Sequence, residues 1–591
     1  MTTGVDRTGQ VASHPIASRK PRGLPLLGGR GEPRSLRLLY IGLWVVVCAF
    51  VLPPIFFLVQ ASIHSWRGVE RAALSLENYQ ALFASGQTGN LVANSLIYAF
   101  GSAGVALLLG TVLAWLVERS NAPLRAAVYV GVFANFAIPG ITQVIGWILL
   151  LGPRAGYINL LLERVLGPAA PTFNIFSMSG MVLIEGLGWA PVVFLLLATP
   201  FQSMDPALEE AASMSGAGPW QTFRRVTFRL AWPSVLAALL LSFIRAVEAF
   251  EVPALIGIPA GIRVMTTQIY LQLRSGMFPQ YGRASAYAVL LLVMVASLLY
   301  VYTRQTQAAK KFATITGKGF KPRKVDLGLW RWPAGALCVL LPASVILPVF
   351  ILIWASFLPY YIAPSLEALD VFTLMNYDRV LQSPTIVSSL WNTVVVGATA
   401  ATTGMGVTLL VAWFSVRTTL PGRYSLDGLT SIPLVIPGIV AGVAVLRTYI
   451  NLPVGVYGTV WILAIAYAMR TLPFGMRFAH AGLLQIHSDL EESAEVSGAP
   501  LRVRLWRIVL PLMVPAFFAG WIYIFLFSVR ALSMAVVLSG PRNEVVAVTI
   551  LNLWENGQVT VLGALSVVVT VVAVGLSLVF YAVSRRYGLR T

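Results

Sequence analysis

Apolar stretches long enough to span a membrane recur along the whole 591-residue chain, and this recurrence limits the folds available to it. A stretch of about 18 residues or more forms a helix that can cross about 30 Å of hydrocarbon. Charged residues make up only 11% of the chain, whereas a soluble domain carries about 25%. A chain of this size cannot cover a water-facing surface with so few charges. The sequence therefore predicts an all-α integral membrane protein.

Twelve of these stretches are candidate spans, six in each half of the chain. In the first half we expect spans at 38–62, 91–117, 127–152, 177–200, 231–256 and 284–303. In the second half we expect them at 330–357, 388–415, 427–450, 457–476, 512–538 and 560–583. Membrane proteins tolerate helix breaks where the backbone faces protein or a cavity. We expect such breaks at the prolines and glycines near the outer ends of some spans: Pro139-Gly140, Pro253, Pro259 and Pro437-Gly438.

Positive charge is concentrated between the spans, which gives the chain a net charge of +19. This bias is typical of cytoplasmic loops, so it does not indicate a nucleic-acid partner. Eight basic residues between positions 304 and 331 assign the middle of the chain to the cytoplasm. An even number of spans in each half then places both termini on that side. The expected organisation is a basic disordered tail at 1–37, a first helical unit at 38–303, a linker at 304–329, a second unit at 330–583 and a tail at 584–591.

The second half repeats the first. Adding 298 to a set of first-half positions gives the same residue each time, so that Asn78-Tyr79, Asn94, Trp115, Arg119, Pro123, Arg125 and Pro139-Gly140 become Asn376-Tyr377, Asn392, Trp413, Arg417, Pro421, Arg423 and Pro437-Gly438. Farther along the chain the offset is 282, and Leu208-Glu209-Glu210, Gly216, Pro233, Pro259 and Thr267 become Leu490-Glu491-Glu492, Gly498, Pro515, Pro541 and Thr549. A longer outward loop around 153–176 in the first copy explains the difference. Duplication of this kind predicts a pseudo-two-fold axis along the membrane normal and a pathway between the halves.

Two cytoplasmic loops, one after the fourth span of each half, carry the most informative sequence. The first runs from Asp205 through Glu209-Glu210 to Gly216, and the second from His487 through Glu491-Glu492 to Gly498. We expect Asp205 or Ser488 to cap a short helix whose first turn holds the paired glutamates, because acidic groups suit a helix N-terminus. The glycine would then end the helix. One such loop is typical of a connecting helix on the membrane surface, but two at equivalent positions favour a two-fold symmetric partner.

Both loops resemble the signature of permeases of binding-protein-dependent ABC importers, which is Glu-Ala-Ala, three residues, Gly, nine residues and Ile-x-Leu-Pro. The second loop matches it at Glu492, Ala494, Gly498, Ile508, Leu510 and Pro511, with Ser493 in place of the first Ala. The first loop matches at Glu210-Ala211-Ala212 and Gly216 and then departs, with Val226, Phe228 and Arg229. The duplicated chain is similar, over most of 38–583, to the fused permeases of ferric-iron importers.

The resemblance implies two tandem parallel repeats of about six helices, the type I ABC importer permease fold, in a bacterial inner membrane. It implies that the loops are coupling helices for a pair of identical ATP-binding subunits, that a periplasmic binding protein delivers substrate, and that membrane lipid surrounds the spans. The chain has no phosphate-binding loop, so we expect no enzyme activity of its own, and no cofactor or metal site. The expected coupling positions are Glu209, Glu210, Ala211, Ala212, Gly216, Glu491, Glu492, Ala494, Gly498 and Pro511.

Ionisable residues inside spans are costly and are candidates for function: Glu185, Arg245, Glu248, Glu251, Arg470 and Arg530. Of these, Glu248, Glu251 and Arg530 are the expected pathway residues. The offset of 282 maps Glu248 onto Arg530, which suggests a charged pair across the pseudo-axis. The alternative is that these side chains lie near span ends and only pair or snorkel.

Two other classes of protein remain open. A secondary transporter also uses two six-span repeats, and a membrane scaffold or receptor would need no transport path. Neither explains the two matched loops. For the substrate, Phe250–Pro259 and Thr266–Tyr270 resemble the corresponding region of ferric-iron permeases, so ferric iron is expected. Polyamine, thiamine and phosphonate, which related permeases carry, are the alternatives.

Overall fold

The computed structural model describes residues 34–67, 70–274, 278–309, 324–362 and 364–586. Helices dominate both halves. The first half contains α1 Arg34–Ser62, α2 Glu77–Ala84, α3 Gln87–Arg119, α4 Arg125–Ala137, α5 Gly140–Leu151, α6 Tyr157–Leu166, α7 Met178–Ser203, α8 Pro206–Met214, α9 Pro219–Thr222, α10 Phe228–Glu248, α11 Met265–Arg274 and α12 Tyr281–Ala309. The second contains α13 Arg331–Ser356, α14 Met375–Gln382, α15 Pro384–Arg417, α16 Arg423–Ser431, α17 Gly438–Asn451, α18 Val460–Leu484, α19 Asp489–Val496, α20 Leu501–Arg504, α21 Leu510–Arg530, α22 Ala535–Leu538, α23 Val546–Glu555 and α24 Val559–Arg586.

The spans largely follow the expected positions. In the described part of the chain, nine helices are long and apolar enough to cross a membrane, and two bent helix pairs raise the number to as many as eleven. The span expected at 457–476 corresponds to α18, which is 25 residues long but is not among these eleven. Arg470 and Arg477 lie within it and lower its hydropathy.

Two of the expected spans, 127–152 and 427–450, are not straight helices. The chain bends by 112° between α4 and α5 and by 109° between α16 and α17. The bends fall at Pro139-Gly140 and Pro437-Gly438, where each proline precedes the new helix in an extended conformation. Proline has no amide hydrogen to donate to the preceding turn, so the first helix ends there.

Other expected boundaries were also wrong by several residues. The spans expected at 231–256 and 512–538 end earlier, because α10 stops at Glu248 and α21 at Arg530. Helix already occupies 34–37, 304–309 and 584–586, which were expected to be tails or linker. The remainder of those expected segments, at 1–33, 310–323 and 587–591, lies outside the described residues. A short antiparallel hairpin, His64–Arg67 with Glu70–Leu74, lies between α1 and α2, and the fold class is all-α as expected.

The duplication is visible in the elements themselves. At an offset of 298, α2 coincides with α14, and at 282, α10 coincides with α21. A five-residue π-helical turn precedes each of the latter, at Phe223–Thr227 and Leu505–Val509, again at an offset of 282. Helix α6 lies in the expected longer loop of the first half and has no counterpart between α17 and α18. The two halves therefore share even this local backbone irregularity, although a further π-helical turn at Pro253–Gly257 corresponds to the α-helical α22 in the second half.

The first helix of each half packs against the other half. Helix α1 contacts α16 and α17, and α13 contacts α4 and α5. On one side, the Tyr40 hydroxyl donates to the Pro421 carbonyl at 2.9 Å. On the other, Gly131 of α4 lies so close to Pro342 of α13 that an added Cβ would be 2.7 Å from the proline nitrogen. The two units are consequently interlocked, and the seam between them is lined by both.

The end of the linker is tied to the turn that follows α3. Val325 forms a parallel bridge with Ser120, and the Asn121 amide donates to the Asp326 carboxylate at 2.6 Å. The Gly328 amide also donates to this carboxylate, at 3.0 Å. These donors hold the pKa of Asp326 below its ordinary value. The end of the linker thus lies against the turn that follows α3 in the first half, just before the second half begins.

Gly131→Val is expected to destabilise the protein, because the new side chain would overlap Pro342 across the seam between α4 and α13. Overpacking of this kind costs about 1–3 kcal/mol. Thermal unfolding in detergent measures the effect. Gly104→Val in α3 is the control, since no atom lies within 4 Å of its added Cβ. A loss no greater at Gly131 than at Gly104 would show that α13 does not pack closely on α4.

Candidate functional site

The first cytoplasmic loop folds as the sequence predicts. Asp205 caps α8, its carboxylate accepting a hydrogen bond from the Ala207 amide at 2.9 Å. The helix ends before Gly216, whose φ is +82°. This left-handed conformation is easy for glycine and strained for other residues. The Ala217 amide then donates back to the Ala212 carbonyl at 3.1 Å, which closes the helix end.

The second loop has the same shape but begins differently. The expectation that Ser488 caps α19 was wrong, because its backbone is already helical and its side chain makes no capping hydrogen bond. Asp489, Glu491 and Glu492 occupy the first turn instead. Negative side chains there interact favourably with the helix dipole without a side-chain cap. Gly498, with φ of +77°, ends this helix as Gly216 ends α8.

The first glutamate of each pair faces the membrane helices. Glu209 forms an ion pair with Arg119, the last residue of α3. Glu491 forms one with Arg417, the last residue of α15, at 2.9 Å between Arg417 Nε and Glu491 Oε1. Trp413 Nε1 also donates to Glu491, at 3.1 Å. Glu209 and Glu491 therefore anchor their helices.

The outer face of each short helix is available to a partner. Glu210 and Ala211 are exposed on α8, while Ala212 is half-buried. On α19, Glu492 and Ala494 are half-buried. Large apolar side chains are exposed at equivalent positions in the two copies. The exposed fractions are 88% for Met214 and 89% for its equivalent Val496, and 48% for both Leu208 and its equivalent Leu490. An apolar patch with this two-fold repetition fits a symmetric partner.

The departure from the signature in the first loop leaves its backbone unchanged. Arg229 and Pro511 occupy equivalent, exposed positions in the first turn of α10 and α21. The same π-helical turn precedes both. The difference between the two loops therefore lies in side chains.

A cluster of charged residues occupies the seam between the halves. Glu248 of α10 accepts from Arg470 of α18 at 3.1 Å and from Arg245 of its own helix at 2.6 Å. Arg470 is 3% exposed and also donates to the Pro433 carbonyl at 2.7 Å, beside the break between α16 and α17. The Arg245 guanidinium lies over the Trp189 ring, 5.1 Å from its centroid. This ion pair joins the first half to the second inside the membrane.

The pairing of Glu248 with Arg530 suggested by the repeat was wrong. Arg530 Nη1 donates instead to the Phe136 carbonyl of the first half, at 2.7 Å. The Glu251 carboxylate fills the space where a side chain at Gly140 would lie, at the start of α5. Equivalence in sequence places residues at similar depth, but pairing follows the packing of the interlocked halves.

Two further buried charged residues, Glu185 and Arg447, contact aromatic side chains. The Glu185 carboxylate accepts from the Tyr98 hydroxyl at 2.8 Å and from Trp189 Nε1 at 3.1 Å. Sequence reasoning missed Arg447, which is buried in α17 with its guanidinium 5.2 Å from the centre of the Tyr281 ring in the other half. A charged residue inside an expected span was the signal that could have found it.

Comparison with known proteins relates the chain to transport permeases. Residues 106–311 match the family described as the binding-protein-dependent transport system inner membrane component. A molybdenum transport system permease protein of Azotobacter vinelandii is 30% identical over 33% of this chain and 84% of its own. A ferric transport system permease protein of Actinobacillus pleuropneumoniae is 27% identical over 85% of this chain and 72% of its own. A spermidine/putrescine transport system permease protein of Haemophilus influenzae is 26% identical over 36% of this chain and 81% of its own.

The fold and the paired loops define a multi-pass inner-membrane permease that carries two permease units in one chain. The chain belongs to the family of binding-protein-dependent transport system inner membrane components. It is thus the transmembrane permease of an ABC importer, a class that works with ATP-binding subunits and a substrate-binding protein.

Glu248→Gln is expected to destabilise the protein more than Arg470→Met. Among the described residues, Arg470 has Glu248 as its carboxylate partner, whereas Glu248 also has Arg245. Removing the carboxylate leaves the buried Arg470 and the half-buried Arg245 without it, and an uncompensated buried charge costs about 3–5 kcal/mol. Thermal unfolding of the single and double variants measures this, with Arg304→Met, at an exposed arginine near the end of α12, as the control. The double variant should recover stability relative to Glu248→Gln, and additive losses would contradict a direct pair.

Proposed function

We propose that the chain forms the substrate pathway of the importer and that its two loops dock separate ATP-binding subunits, which carry out all hydrolysis. The observation that carries this proposal is the exposed apolar face that α8 and α19 share. Met214 is equivalent to Val496 in the repeat, and Leu208 is equivalent to Leu490. Two equivalent faces fit two identical partner surfaces, so the ATP-binding subunits form a homodimer. The coupling positions on these faces are Glu210, Ala211, Ala212, Gly216, Glu492, Ala494 and Gly498, with Glu209 and Glu491 fixing the helices and Pro511 starting the next span.

The pathway lies at the seam of the two halves. Glu248, Glu251 and Arg530 lie where segments of both halves meet. The Glu248–Arg470 pair closes this region, since it joins α10 of one half to α18 of the other. Movement of the halves apart would separate the pair and open the path.

The membrane orientation follows from the same loops. The basic linker and both termini lie on the cytoplasmic side together with α8 and α19. Lys and Arg concentrate in such loops because of the positive-inside bias. Exposed apolar side chains along α1 and α13, such as Leu38, Phe56, Ile346 and Phe350, meet membrane lipid.

We further propose ferric iron as the substrate. Its support is the likeness over most of the chain to a protein described as a ferric transport system permease. Shorter likenesses to proteins described as molybdenum and spermidine/putrescine transport system permeases keep molybdenum and a polyamine as alternatives. A periplasmic binding protein sets this selectivity, and its ligand identifies the substrate.

Copurification and uptake test the proposal. The detergent-solubilised chain is expected to retain its ATP-binding subunits. Glu492→Lys is expected to reduce uptake of radiolabelled ferric iron, because it reverses a charge on the docking face. Glu492→Gln is the control that removes the charge without reversing it. Intact uptake by Glu492→Lys, without a copurifying ATP-binding subunit, would favour a secondary transporter instead.

The two cytoplasmic loops are expected to contribute unequally to uptake. Glu492→Lys should reduce uptake by about tenfold, a typical coupling factor, and Glu210→Lys by less, because the second loop carries the fuller signature through Pro511. The same order is expected for Gly498→Ala and Gly216→Ala, which strain equivalent left-handed turns. Initial uptake rates at matched expression measure both pairs. Equal defects, or a larger defect in the first loop, would contradict the asymmetry.

A further inference from the structure

Two arginines fix the cytoplasmic helices to the preceding spans. Arg119 is the last residue of α3 and is fully buried, and Arg417 is the last residue of α15 and is mostly buried. Arginines at a helix C-terminus interact favourably with the helix dipole, but burial is unusual for so large a charge. A buried arginine at the same place in both copies indicates a role for its contacts.

Each arginine joins the same three elements. Besides the glutamate of the short helix, Arg119 donates to the Met204 carbonyl at 3.5 Å, just after α7 ends. Arg417 donates to the Ile486 carbonyl at 2.6 Å, just after α18 ends. Met204 and Ile486 are equivalent at an offset of 282, as are the two glutamates. The junction of two spans and a short helix is therefore built identically twice.

Each short helix is also bonded to the segment that follows it, but by different residues in the two halves. In the first half, the Thr227 hydroxyl donates to Glu209 at 2.6 Å from the π-helical turn before α10. In the second half, Arg504 of α20 donates to Glu495 at 2.6 Å. The equivalent of Thr227 is Val509, which cannot make this bond. Only the arginine junction is common to both copies among these ties.

We propose that Arg119 and Arg417 are positioning residues that make each short helix move together with its flanking spans. A charge-assisted bond between buried groups resists bending, because breaking it leaves both charges without a partner. A push on α19 would therefore be transmitted to α15 and α18 as a rigid-body movement. This inference rests on the proposed docking of ATP-binding subunits.

Transport per ATP hydrolysed distinguishes this role from a purely structural one. Arg417→Ala, reconstituted with its ATP-binding subunits, is expected to retain them and to hydrolyse ATP. Transport of radiolabelled ferric iron per ATP should fall about tenfold, because the short helix would move without its spans. Arg304→Ala is the matched control, an exposed arginine near the end of α12. An unchanged ratio for Arg417→Ala would overturn the inference.

Two further variants protect the test against misfolding. Exchange of the pair, Arg417→Glu with Glu491→Arg, restores opposite charges. It should recover much of the iron transport per ATP hydrolysed that Arg417→Ala loses. Arg417→Lys keeps the charge with fewer donors and should assemble normally with an intermediate ratio. If Arg417→Ala fails to assemble with the ATP-binding subunits, Arg417→Lys decides the question. Wild-type iron transport per ATP hydrolysed in Arg417→Lys would then overturn the inference. If the wild-type chain itself retains no ATP-binding subunits, the proposed function fails instead.

Discussion

A hydrocarbon interior offers no hydrogen-bond partner to a broken backbone or an isolated charge, so each such feature must be satisfied within the protein. This constraint explains why the halves interlock. The breaks at Pro139-Gly140 and Pro437-Gly438 lie in helix pairs that are covered by α13 and α1, the first helices of the opposite halves. Each half therefore depends on the first helix of the other half to cover the break in its own helix pair. The charged cluster around Glu248 and Arg470 forms at the seam for the same reason.

The two copies share architecture more closely than chemistry. The π-helical turns, the left-handed glycines and the arginine junctions coincide at fixed offsets. The bonds from each short helix to the segment that follows it use different donors. The residue at the start of the following span is Arg229 in one copy and Pro511 in the other. Selection on a repeated unit can hold the backbone constant while side chains diverge wherever another contact replaces the lost one. The two permease units thus have similar backbones, but different side chains bond their short helices to the neighbouring segments.

Much of the fold could be predicted from sequence because its signals are local or periodic. Apolar length places the spans, and fixed offsets between Trp, Pro and Asn residues show the duplication. The seam contacts could not be predicted in this way, since Arg470 pairs with Glu248 through the crossing of α10 and α18 rather than through repeat equivalence. The inward orientation of Glu209 also depends on where α3 ends relative to α8. Arg447 was missed although its position inside an expected span marked it.

In the proposed importer, ATP-binding subunits move the two short helices and, through them, the two halves. Spin labels at Ser215→Cys and Ser497→Cys, equivalent exposed positions after α8 and α19, report the distance between the helices once Cys48 and Cys338 are replaced by alanine. The distance distribution is measured by pulsed electron paramagnetic resonance in the assembled importer, without nucleotide and with ATP under conditions that block hydrolysis. A shift to a distinct distance with ATP is the predicted result. The same distribution in both states would show that ATP does not move the two short helices relative to each other.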